Sequence, residues 1–569
     1  MKKISLFWII VIEIVWLLFT LWFILPAWNV QSLGFWTFGF SHILIIGGII
    51  ISLISPVLKT TFFKRNRVFG YKKNGRRYDQ AYDLTTVFTK GYWLGGVVPL
   101  TIVFVMVLSL VNGVFGAKIF RARDYQQLLN VSDATVEEFE ADFDLDSNSL
   151  ILPIIDKDVA YKRAQAQLLS YGAQFNIAYE YFTLLNVQRS DGNHLVRVAP
   201  LEYSSSIVAL NRYSSGSIGY VEVDVGTGQA RLVEVPSGMP YVTTAWLDHK
   251  LARALRFRYP TKLFSEYRFE IDDDGHPYWV IPTYANEISI FSGPVVNGVI
   301  TFDAVTGETM DYTIAAAPSW IDRVVDDSIL AEQAYNYLYY KEGWLNATFG
   351  QRLNVFQLSD GYNYFIKDNT TYFVSGVTSP NEGDQTSVGF MAINLSTGET
   401  KRYPINGITE MRAIEIVESD ARVSAQGLIA SWPILVNISG VPTYFVVMRN
   451  DIQTEYYAFI DVETGSNVSM KSSISLSRSE YLDKLADNGV IETPLMSGTF
   501  TVDRVIMIAA EDRIEFTVTN PSYADTYFVV SMSLNVDARF LQPGDVIDID
   551  FKTDEGANLN RVEALDKDN

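Results

Sequence analysis

Hydrophobic positions follow two regimes along this chain. Up to about residue 117 they form unbroken runs, at 4–25, 35–54 and 97–115; beyond it they mostly alternate with polar ones. A run of about 20 apolar residues, wound as a helix, crosses about 30 Å of hydrocarbon, so three membrane spans are expected. The first run is too long for a signal peptide, and "FILPAWNVQSLG" offers no good small-x-small cleavage site, so it reads as an anchor.

The alternating part repeats itself. "GYVEVDVGTGQARLVEV" (219–235), "GVITFDAVTGETMDYTI" (298–314), "GFMAINLSTGETKRYPI" (389–405) and "YAFIDVETGSNVSM" (457–470) each read as strand, Thr-Gly turn, strand. The Thr-Gly pairs at 227, 306, 397 and 464 are 79, 91 and 67 residues apart, a spread that suits small domains in tandem rather than a solenoid. The acid before each turn (Asp224, Asp303, Asp461, with Asn394 in the third copy) is expected to hold the turn's amides, a structural task.

Helical segments precede the hairpins: "DKDVAYKRAQAQLLS" from Asp156, "AWLDHKLARALRF" from Ala245, "DRVVDDSILAEQAYNYLYY" from Asp322, and a weaker one over 410–424. In the first, Asp156 is the expected N-cap, and Val159, Ala160, Ala164 and Leu168 share one face. Each unit thus reads as a helix, then strands, then the hairpin.

Gly275-His276-Pro277-Tyr278-Trp279-Val280 followed by Phe302-Asp303-Ala304-Val305-Thr306-Gly307-Glu308 resembles the PepSY domain, a small extracytoplasmic module of bacterial proteins. The first copy departs from it, with "GNHLVRVAPLEY" where the Pro-Tyr strand belongs. Over about 120–470 the chain also resembles a family of multi-span membrane proteins of low-GC Gram-positive bacteria with PepSY-like extracytoplasmic repeats. "AYKRAQAQLLSYGAQF", "RFRYPTKLF…FEIDDDGHPYWV", "TSVGFMAINLSTGE" and "LVNISGVPTYFVV", in this order after membrane spans, carry that likeness. It implies a fold and a location in the cell envelope, but no activity.

A Ser-rich linker (471–494) with a short helical segment over 480–487 leads to five strands, with a Pro-Gly-Asp turn before the fourth. This pattern is similar to an OB-fold barrel. The expected fold class is therefore α+β: three N-terminal transmembrane helices, tandem PepSY-like helix/antiparallel-sheet units, and a C-terminal all-β OB-like barrel. The expected domains are a membrane anchor (1–117), a stalk (118–152), the units (153–470), the linker and the barrel (495–569).

Charge assigns the sides. The net −20 conceals +8 over 1–117 and −28 beyond it. Eight Lys/Arg crowd residues 59–77, within a basic loop (59–90) expected in the cytoplasm, in contact with anionic lipid. Lys2 and Lys3 put the N-terminus on the same side, and three crossings then put 118–569 on the extracytoplasmic face. Lys118, Arg121 and Arg123 argue weakly against this. The barrel region holds 6 Lys/Arg against 14 Asp/Glu, so no nucleic acid is expected.

Candidate chemistry is sparse. There is no cysteine, and HExxH, GxSxG, Walker A and GxGxxG are all missing. Asp142, Asp144, Asp146 and Asn148 imitate a calcium loop but fail at Ser147 and Pro153. Asp272–Asp274 reads as a tight turn, and His276 beside it as a surface histidine. Glu13 and His42 lie inside spans, at depths of roughly 18 Å and 10 Å counted from the outer ends of the runs. The expectation is that each meets a packed helix or a membrane partner rather than the other. No catalytic residue, cofactor or metal is assigned; Glu13, His42, His276, Asp272 and Asp274 are the candidate interaction or polar membrane sites. The favoured reading is a non-catalytic, membrane-anchored binding or scaffold protein with a protein partner in the envelope. The alternatives are a regulator of an extracellular protease or wall-modifying enzyme and, least favoured, a hydrolase using Asp272–Asp274.

Overall fold

The computed structural model describes residues 6–61, 71–73, 76–78, 94–145, 150–190, 192–350, 353–381, 385–450, 453–492, 495–508, 513–524, 526–533, 535–554 and 559–567. Most of the basic loop lies outside these, as do Asp146 and Asn148. The first helices are α1 (Leu6–Phe23), α2 (Leu33–Thr61) and α3 (Leu94–Phe115). Leu33–Ile51 and Gly95–Phe115 are long and apolar enough to cross a membrane, and Ile10–Phe23 is a shorter apolar helix. Many of their large side chains, among them Phe7, Trp8, Val98, Met106 and Leu110, are exposed.

Four sheets follow, with one connection order. In each, a first strand broken in two pairs with a long second strand, which pairs with a third, which pairs through the Thr-Gly turn with a fourth. The second strands are Gly192–Tyr203, Pro277–Ser289, Thr370–Thr378 and Val441–Arg449. The expected turn chemistry is present in every copy. Asp224 accepts from the amides of Gly226 and Thr227, Asp303 from Val305 and Thr306, Asn394 from Ser396 and Thr397, and Asp461 from Thr464 and Gly465. The turn glycines sit at positive φ, from +68° at Gly465 to +82° at Gly398, where a side chain is strained.

The helices have shorter bounds than their sequence signals. Lys157–Ala166 has its expected cap, with Asp156 accepting from Val159 N, and Val159, Ala160 and Ala164 are buried. The third helix starts at Asp327, not near Asp322, because Asp326 caps it through the amides of Ser328 and Ile329. Its buried residues Ile329, Leu330, Ala334 and Leu338 share one core with Val280 and Val299 of the second sheet and Phe373 and Met391 of the third. A helix thus lies between successive sheets.

Two expectations are corrected. Residues 118–152 are no free stalk: Val131–Asp133 pairs parallel to Thr400–Tyr403, and Leu150–Ile151 pairs with Asn363–Lys367, so both are strands of the third sheet. The Ser-rich stretch is no linker but the first half of a helix, Ile474–Asp487, capped by Ser473. Its small residues permit close approach: Ser477 is fully buried, 3.0 Å from Ser469 on the fourth sheet, and Tyr481 and Leu485 complete the contact.

The last strands close into a barrel in the order Met496–Ile508, Arg513–Val518, Tyr527–Ser531, Leu559–Lys567, Val546–Asp554, and back to the first. One pair is parallel, Tyr527–Ser531 with Leu559–Lys567. Phe500, Phe516, Phe528 and Phe551 fill its centre.

Candidate functional site

The sequence candidates are placed first. Asp272 holds a tight turn, accepting from the amides of Asp274 (3.1 Å) and His276 (2.8 Å), as its pattern suggests. His276 Nε2 lies 3.1 Å from Asp303 Oδ2. His194, at the equivalent place in the first sheet, is 3.4 Å from Asp224. Burial raises the pKa of Asp303, but the amides and side chain of Thr306, the Val305 amide and His276 outweigh it, leaving Asp303 below the ordinary range. Asp142 is bound by Lys367 (2.8 Å), Lys401 (2.9 Å) and the Tyr403 hydroxyl (2.7 Å), which fasten 136–142 to the third sheet.

Glu13 and His42 do meet. Glu13 Oε1 is 2.6 Å from His42 Nδ1, and Thr20 Oγ1 is 3.2 Å from Nε2, all buried among apolar side chains. The depth argument failed at the helix ends. α1 stops at Phe23 and α2 begins at Leu33, which puts Glu13 ten residues and His42 nine residues from the intervening turn.

The largest constellation of buried charge was not foreseen. Strands of three sheets converge on residues 322–327. Asp322 Oδ2 accepts from Asn186 N (2.7 Å) on the first sheet and Oδ1 from Thr371 Oγ1 (3.3 Å) on the third. Its own amide donates to Glu270 Oε2 (3.1 Å) on the second. Arg268 donates to Val325 O (3.2 Å) and Asp327 Oδ1 (2.5 Å). Arg323 Nη1 lies 3.5 Å from Asp327 and its guanidinium 4.0 Å over the Tyr364 ring, while the Tyr364 hydroxyl bonds Asp327.

The acids of this junction divide by environment. Burial lifts Asp327, but Arg268, Arg323 and Tyr364 overcome it and hold it down at about 2. Burial pushes Glu270 up to about 7 against the pull of Arg268 and Arg323. Asp322 is raised well above its usual value by burial and by Glu270. One Glu270 oxygen, Oε1, has no hydrogen-bond partner among the described residues.

A second cluster adjoins it. Arg449 of the fourth sheet ion-pairs Asp156 and, at 3.1 Å, Asp158. Tyr179 donates to Asp158 (2.7 Å), and Lys157 lies 4.2 Å over the Tyr179 ring. Arg197 and Arg323, beside this cluster, each have a buried Nε without an acceptor among the described residues. Among the described residues no group of three or more His, Asp or Glu is arranged to hold a metal ion.

None of these residues announces itself locally, because they come from separate units. Only the strand register puts Arg197 where the other sheets carry Trp279, Phe373 and Tyr444, because the spacing to the Thr-Gly turn differs from copy to copy. Neither a protein-family model nor a curated protein matches this chain.

Proposed function

We propose that this chain is a membrane-anchored, non-catalytic binding or scaffold protein of the bacterial cell envelope. α1–α3 are its spans, the N-terminus is inside, and 118–569 lies on the extracytoplasmic face. The observation that carries this reading is how the second sheet seats on the helix ends. Gln31 and Asn286 exchange two hydrogen bonds of 2.8 Å. Asn112, near the end of α3, accepts from Ser289 Oγ (2.6 Å) and Phe291 N (3.0 Å) at a hairpin tip. Trp28 N donates to Pro260 O (2.7 Å), and Arg253 stacks 4.2 Å over Trp22. Polar contacts at all three helix ends, beside exposed apolar flanks, suit a folded body held against a membrane surface.

The repeated sheet order supports the PepSY-like reading, and the barrel's strand order with its one parallel pair supports the OB-like one. The test is in-cell crosslinking from the outer part, read by mass spectrometry. A reproducible envelope partner, lost when 153–470 are deleted, is expected. Capture no greater than from that deleted chain overturns the scaffold reading. Orientation is tested separately. The chain has no cysteine, so a single Leu169→Cys at a position 89% exposed should react with an impermeant maleimide on intact cells. Labelling only after lysis would reverse the topology.

A further inference from the structure

Beyond residue 117 the chain is strongly acidic, yet one stretch reverses the sign. Residues 245–262 carry Lys250, Arg253, Arg256, Arg258 and Lys262 against Asp248 alone. They fold as a turn, Leu247–His249, leading into the helix Leu251–Arg258, whose Leu251 and Leu255 are buried. Lys250, Ala254, Phe257 and Arg258 fall at the i, i+4, i+7, i+8 spacing that shares one helix face. On that face Phe257 is 54% exposed, and Trp246 and Leu247 are exposed just before the helix. Leu247 sits at φ +50°, a conformation that residues other than glycine rarely adopt. Three large apolar side chains are thus left outside the core, beside a concentration of positive charge.

The stretch is fastened to the end of α1. Arg253 Nε donates to Trp22 O (3.2 Å), its guanidinium stacks 4.2 Å over the Trp22 ring, and its Nη1 bonds Leu247 O. Phe257 meets the Trp22 ring with 5.8 Å between centroids, and Asn29 donates to Thr261 O (2.9 Å). Phe257 therefore lies level with the last turn of α1, where Phe23 and Ile24 are exposed, as is Trp28 just beyond. A cavity of about 320 Å³ opens here, lined by Trp22, Phe257, Arg253, Arg258 and Asp248 among others. Asp248, its one carboxylate, faces Arg253 and accepts from the Tyr213 hydroxyl. Arg256 and Lys262 are committed elsewhere, to backbone carbonyls and to Asp311 (2.9 Å). Among the described residues Lys250, Arg253 and Arg258 form no ion pair within 4 Å. Arg258 donates to Gly307 O (2.9 Å) and Thr309 Oγ1 (3.2 Å), and Lys250 Nζ donates to nothing.

We propose that this face docks on anionic phospholipid at the outer surface of the membrane. Trp246, Leu247 and Phe257 enter the interface, and Lys250, Arg253 and Arg258 hold lipid phosphates. Apolar side chains beside cations suit the boundary between acyl chains and headgroups, where aromatic rings also settle. Guanidinium donors match phosphate oxygens, and each cation near an anionic surface adds attraction. A soluble anion would leave the three apolar side chains uncovered, so the lipid is the occupant that satisfies both halves of the face. The same surface repels the acidic remainder of the body, so the patch also selects which side of it meets the membrane. The inference rests on the reading of α1 as a span.

The test uses the full chain in nanodiscs of mixed phosphatidylcholine and phosphatidylglycerol. Because the chain has no cysteine, a single Phe257→Cys carries an environment-sensitive dye, and the same dye on the exposed Leu169→Cys gives its spectrum in water. At 257 the dye should be blue-shifted and quenched by lipid spin-labelled close to the headgroup. Spin-labelled phosphatidylglycerol should quench it more than spin-labelled phosphatidylcholine at equal content. Adding Lys250→Gln, whose ammonium has no native contact to lose, should lower that preference about fivefold. The quenching is local, so lipid held by the basic loop across the disc does not enter it. Chains that fail to enter the discs would sink the reading of α1 as a span, and this inference with it. Chains that enter them overturn this inference alone in three ways: a dye at 257 that stays in water, equal quenching by the two lipids, or a preference unmoved by Lys250→Gln.

Discussion

Replacing Glu270 by Gln should do little at pH 5 and stabilise the protein increasingly as the pH rises towards and past neutrality. In the folded chain Glu270 is fully buried and its pKa is pushed from 4.5 to about 7, burial outweighing Arg268 and Arg323. Between those values the folded state keeps a proton that the unfolded state has released, so stability falls as pH rises through the window and levels off above it. At about 1.4 kcal/mol per unit, the full loss at pH 8 is about 3 kcal/mol. Gln cannot ionise and is shaped like the neutral acid. At pH 5 the variant should therefore lie within about 1 kcal/mol of the parent, and at pH 8 it should be more stable by up to about 3 kcal/mol. The measurement is thermal unfolding of both proteins in micelles at four pH values from 5 to 8, followed by far-ultraviolet circular dichroism. An advantage of roughly 5 °C at pH 8, shrinking to nothing at pH 5, is expected. Parallel curves, with Gln worse at every pH, would mean that Glu270 is ionised and paired in the fold, and the reasoning would fail.

Other perturbations test the packing. Glu13→Leu leaves the buried His42 Nδ1 without its acceptor and should cost about 1–3 kcal/mol, read as faster proteolysis between α1 and α2, whereas Glu13→Gln keeps a hydrogen bond and should cost less. Gly307→Ala and Gly398→Ala meet the same backbone penalty of about 1 kcal/mol. At Gly307, however, the new methyl falls 2.5 Å from the Tyr241 ring, while at Gly398 the nearest atom is 3.8 Å away. Denaturant midpoints should therefore fall further for Gly307→Ala, and equal losses would discount the contact. Arg253→Ala removes the cation stacked on Trp22, and Trp22 emission should shift on its loss; an unchanged spectrum would detach α1 from the second sheet.

Much of the architecture was legible because its signals are local. Period-two alternation, a Thr-Gly pair and an acid before it suffice to write a hairpin, and four copies expose themselves by comparison. Helix starts were less legible. "DRVVDDS" offers Asp322, Asp326 and Asp327 as caps, and the choice falls to Asp326 because Asp322 is committed to Asn186, Thr371 and Glu270 in other sheets. The junction itself could not be read, since Glu270 and Asp322 lie 52 residues apart and meet only when sheets pack. Glu13 and His42 were misjudged by helix boundaries two residues off at each end, enough at 1.5 Å per residue to turn a contact into a gap.

The strand Val131–Asp133 belongs to a sheet whose matching edge is Thr400–Tyr403, with Ser132 hydrogen-bonded to a residue 268 positions later. Chain order and folding order are therefore different things here. As the polypeptide emerges from its N-terminal end, the first sheet can close on its own residues, while the earlier strand waits through the making of two further units. At 5–20 residues per second that wait is on the order of 15–50 s, during which a strand edge stands bare. Refolding of the whole chain should then end in a slow, long-loop docking step rather than in the closure of any single unit.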